Sequence, residues 1–72
     1  MGDFIDAGAV KVIEVIGISS DGFEAAVDNA VAKASESIKG ITGVEVQNLS
    51  ARVDDGKVVQ YRANVKLAFA VR

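Results

Sequence analysis

The side chains able to do chemistry in this chain are carboxylates, a few bases and one tyrosine, and their spacing decides what they can do. Glu14, Glu45, Asp54 and Asp55 offer no pair at a diagnostic interval, so no acid–base couple is legible. Asp54-Asp55-Gly56 lacks both the alternating acidic spacing and the distal Glu of a calcium loop, and reads as a turn. Gly17 and Gly22 belong to no phosphate-binding glycine motif. The chain has no His and no Cys, so Ser-His and Cys-His nucleophiles, imidazole and thiolate metal ligands and disulfides are all excluded. These absences predict a protein that is not an enzyme.

The most informative polar residues are Gln60, Arg62, Asn64 and Lys66. They alternate along one stretch, as side chains on one face of a strand must. They read either as a wet sheet face or as the wall of a cavity or anion pocket in an oligomer. In the second case Arg62 could make charge-assisted hydrogen bonds to a phosphate or carboxylate.

Elements that would position these residues follow from the hydrophobic periods. Val10 to Ile18 is rich in β-branched residues and reads as a strand. Val12, Glu14, Ile16 and Ile18 would share one face, and Lys11, Ile13 and Val15 the other. Ser19 reads as a helix N-cap. Phe23, Ala26, Val27, Ala30, Val31, Ala34 and Ile38 recur at helical steps and predict a helix over about 20–39. Lys39 would sit in its last turn, and Gly40 would end it. After the connector Ile41-Thr42-Gly43, a second strand runs from Val44 to about Val53. Its apolar parity changes phase, which predicts a bulge near Gln47-Asn48. Asp-Gly at 55–56 predicts a tight hairpin. The third strand, Lys57 to Arg72, carries Val59, Tyr61, Ala63, Val65, Leu67, Phe69 and Val71 on one face.

The order is β-α-β-β, an α+β pattern. A strand of about 14 residues spans roughly 45 Å. A helix of about 19 residues reaches only ~29 Å. One helix cannot cover such a sheet, and a second subunit is the economical cover. The length of 72 residues points the same way, because a core this small is marginal alone. A net charge of −2 argues against a nucleic-acid partner. No apolar run approaches a membrane span, and the first ten residues lack a basic leader, so the expected compartment is the cytoplasm. Residues 1–9 read as a mobile extension whose Phe4 and Ile5 could dock on a neighbour, and residues 10–72 as a single domain.

Four stretches together resemble the dodecins: V-I-E-V-I-G-I-S from Val12, S-D-G-F-E-A-A-V-D-N-A-V-A-K-A from Ser20, G-V-E-V from Gly43, and D-G-K-V-V-Q-Y-R-A-N-V-K-L-A-F from Asp55. The resemblance covers about residues 10–72. It implies one helix packed on a curved three-stranded antiparallel sheet, and twelve chains closing a hollow homododecameric shell. It further implies a storage protein for flavins such as riboflavin or FMN. In the flavin-binding members a tryptophan just before strand two stacks on the ring system, and a glutamine after the strand-three aromatic binds its pyrimidine edge. Here those positions hold Gly43 and Arg62. The resemblance places Gly43, Glu45, Gln47, Asn48 and Arg62 near the ancestral ligand pocket. Some dodecin-like proteins with such departures are associated with calcium, for which Glu14 or Glu45 repeated around a symmetry axis could supply oxygen ligands.

Overall fold

A computed structural model describes residues 8–71. Arg72 and residues 1–7, most of the predicted N-terminal extension, lie outside the described residues. Strand β1 (Ala9–Ser19) is followed by helix α1 (Phe23–Ser35) and strands β2 (Ile41–Asp54) and β3 (Lys57–Val71). The sheet order is β1-β3-β2, and both pairings are antiparallel. The central position goes to β3, the strand with the longest apolar alternation. Its Ala63, Val65 and Leu67 are fully buried against Ala26 and Ala30 of α1. Ile13, Val15, Val27, Val31, Ala34 and Ile41 complete this small core.

The face assignment for β1 and β3 is as the alternation predicts. Two boundaries differ. The helix does not begin at residue 20 with Ser19 as its cap. The Asp21 backbone N–H donates to Ser19 Oγ at 2.9 Å, so the hydroxyl serves a local turn instead. Gly22 holds the N-cap position with φ 156°, a conformation that side-chain-bearing residues rarely adopt, and no side chain caps the helix. At the other end, α1 stops at Ser35, not 39, and its last-turn base is Lys33, not Lys39. The N–H groups of Glu36, Ser37 and Ile38 donate back to the Lys33 and Ala34 carbonyls in a tightened turn. Gly40, at φ 76°, then redirects the chain into β2.

Strand β2 starts at Ile41 rather than Val44, because Ile41 and Gly43 already pair with Phe69 and Ala68. The predicted bulge is present: Val46 faces Val65 and Asn48 faces Asn64, with Gln47 unpaired between them. Two further irregularities, at Ile41/Gly43 and Arg52/Val53, have no counterpart in the periodicity. In the hairpin, Asp55 (φ 52°) and Gly56 (φ 74°) both adopt the positive φ that a twisted two-residue turn demands.

The described chain is elongated, 49 × 19 × 16 Å. A 13-residue helix reaches only about 20 Å along it. Much of the sheet is therefore uncovered on both sides. Val44, Val46 and Leu49 lie on the helix side, opposite Leu67, Val65 and Ala63, yet remain 46–49% exposed. Val10, Val12, Ile16 and Ile18 on the far side are 49–53% exposed.

Candidate functional site

The far side of the sheet, which the helix never touches, carries every polar side chain of interest. Register arranges it in rows across β1, β3 and β2. Residues directly opposite on paired strands share a face and stand close together. Glu14, Lys66 and Glu45 form one row, Ile16, Asn64 and Asn48 the next, and Ile18, Arg62 and Ser50 the third. Val12, Ala68 and Gly43 lie beyond the acidic row.

Among the five residues expected near a pocket, Gly43 and Glu45 come together. They line a shallow depression of about 220 Å³ with Val12, Val44, Lys66 and Ala68. Asn48 sits one row further along, and Gln47 is the bulge residue between them. Arg62 stands four residues from Lys66 along β3, about 13 Å away by strand geometry. One chain therefore spreads the five along the face, with Arg62 at the far end. A Cβ built on Gly43 would meet only Ala68 Cβ, at 3.6 Å, an ordinary contact, so the position has room for a side chain.

The face is polar but poorly self-satisfied. Lys66 is flanked by two carboxylates, yet among the described residues the ion pair within 4.0 Å is a different one, Lys33–Glu36 at 3.6 Å on the exposed helix surface. Asn64 Oδ1 is buried and accepts no hydrogen bond. Among the described residues no group of three or more acids is placed to hold a metal ion. Lys66 and Asn64 were visible as part of an alternating polar face. Their coupling to Glu45 and Asn48 was not, because it depends on the bulge at Gln47.

Two other features serve the framework. A groove of about 360 Å³ runs between the outer edge of β1 and α1, lined by Ile16, Gly17, Ala30 and Lys33 among others. Beside it, Asn29 Nδ2 donates to the Ile18 carbonyl at 2.8 Å, tying the helix to the strand edge. Tyr61, which the alternation placed in a core or interface, packs edge-on against Phe23, with centroids 4.9 Å apart at 79°.

The Dodecin family model matches residues 9–72. The chain belongs to the dodecin family. A dodecin from Thermus thermophilus is 27% identical over 59 residues, which is 82% of this chain and 86% of that protein. The solved dodecin of Streptomyces coelicolor superposes with a TM-score of 0.86 at 34% identity, covering 89% of this chain and 91% of its own. A calcium-chelating dodecin from Mycobacterium tuberculosis, described with a novel calcium-binding site, superposes at 0.78 with 33% identity, covering 90% and 93%. The dodecin order β-α-β-β, with one helix on a three-stranded antiparallel sheet, is thus the fold of this chain. Among the described residues, no helix is long and apolar enough to cross a membrane.

Proposed function

We propose that this dodecin assembles as a cytoplasmic homododecameric shell that stores a flavin-type ligand, riboflavin or FMN, on the open sheet face, and that it is not an enzyme. The observation that carries the reading is the uncovered sheet. Apolar residues exposed on both of its sides call for neighbouring copies, because a lone soluble chain rarely leaves so much contiguous apolar surface in water. Val12 and Ala68 beside Gly43 form a wall against which a planar ring can lie. Gln47, Asn48 and Asn64 supply carboxamides at the hydrogen-bonding edge, and Arg62 and Lys66 supply cations for a phosphate. The residues present fit a flavin in these respects and lack the aromatic stack. Glu45 borders the same depression and orients donors of the ligand.

Native mass spectrometry on protein purified without added ligand tests the assembly. Twelve chains of 7.5 kDa give 12 × 7.5 = 90 kDa. A peak at that mass with ligand mass attached supports the reading, and a 7.5 kDa monomer overturns it.

A second reading is a flavin-independent shell that binds calcium or serves a structural role. Its support is the fold-level likeness to the calcium-chelating relative, together with Glu14 and Glu45 on the open face. A melting temperature that rises with calcium and falls on chelation would favour it over the flavin reading.

A further inference from the structure

We propose that Asn64 is the residue that reads the hydrogen-bonding edge of the ligand, and that it selects a cyclic imide, a ring N–H between two carbonyls. This rests on the flavin reading above.

Three observations carry it. Asn64 occupies the centre of the open face, between Ile16 and Asn48, with Arg62 and Lys66 two residues away on either side along β3. Its Oδ1 is buried without a hydrogen-bond partner. A carboxamide oxygen in that state costs free energy until a donor arrives. The side chain nevertheless stands partly open, and no donor approaches it from Asn48, its neighbour across the strand pair. The terminal torsion of asparagine is broad, so a bound donor can draw the oxygen toward the open face.

An amide presents one acceptor and one donor side by side. An imide edge presents the complement: Asn64 Oδ1 accepts from the ring N–H while Nδ2 donates to a ring carbonyl. Arg62 offers donors only and cannot accept from that N–H. The acceptor must come from a carboxamide or carboxylate, and among the described residues Asn64 is the carboxamide whose acceptor is both buried and without a partner.

The test is fluorescence titration of the full-length protein with riboflavin and with 3-methylriboflavin, whose ring nitrogen carries no hydrogen. The wild type should bind riboflavin about five- to tenfold tighter than the methylated analogue, the loss expected for one or two neutral hydrogen bonds. In Asn64→Val, which suits a strand, riboflavin affinity should fall by a similar factor and the discrimination should vanish. Asn64→Ala serves as a second variant, with assembly of both checked by native mass. Equal binding of the two flavins by the wild type overturns the assignment and leaves the flavin reading standing. Discrimination that survives in both variants does the same. Failure of the wild type to bind riboflavin at all overturns both.

Discussion

Gly17 of β1 faces Ala30 of α1 so closely that a Cβ added to the glycine would lie 2.8 Å from the alanine methyl and collide with the Ala26 carbonyl oxygen. The helix can approach this near only because Gly17 has no side chain and its partners, Ala26 and Ala30, are small and buried. This contact sets how the helix sits on the sheet. The obstacle is partly backbone, which cannot swing aside as a long side chain could. Gly17→Ala is therefore expected to destabilise the protein by about 2–3 kcal/mol, within the range for overpacked cores. Urea midpoints at one fixed protein concentration would measure it, because assembly makes apparent stability depend on concentration.

Restoring an aromatic at position 43 should strengthen flavin binding. The space beside Gly43 is open, with Ala68 Cβ at 3.6 Å from a built Cβ. Gly43→Trp is expected to raise FMN affinity by about tenfold or more, given ~1–3 kcal/mol for a ring stacked on an aromatic side chain. Quenching of FMN fluorescence on titration reads the gain. An unchanged affinity would detach Gly43 from the ligand site.

Phe23 and Tyr61 should show energetic coupling. Their edge-to-face contact joins the first residue of α1 to the centre strand. A double-mutant cycle with Phe23→Leu and Tyr61→Leu should return about 0.5–1.5 kcal/mol of interaction energy beyond the single losses. A coupling near zero would mean that the rings merely share a surface.

The hairpin turn predicts opposite responses at adjacent positions. Asp55 already holds a positive φ that glycine adopts freely, so Asp55→Gly should be close to neutral in thermal melts. Gly56→Ala places a methyl group at φ 74° and should cost about 1–2 kcal/mol. Equal effects at both positions would contradict the observed turn.

Alternation and composition, read along the chain, determined the element order, the buried face of β3, the hairpin at Asp55-Gly56 and the bulge at Gln47. Each is a local matter: a period of two or of 3.6, a turn residue, or a break in parity. They also excluded histidine and cysteine chemistry, since no fold can supply an absent side chain. The helix ends lie elsewhere than at Ser19 and Gly40, which are plausible boundary residues in isolation. The structure instead gives the N-cap to Gly22 and the C-cap to Glu36, and sets the Ser19 hydroxyl in a local turn. Only the tertiary structure decided that β3 lies between β1 and β2. That order places Lys66 between Glu14 and Glu45, and Asn64 beside Asn48. Pairing across strands is non-local, and one inserted residue shifts every partner beyond it. The role of Gly17 was hidden for the same reason: a missing side chain has no pattern until the surface that needs its absence is packed against it.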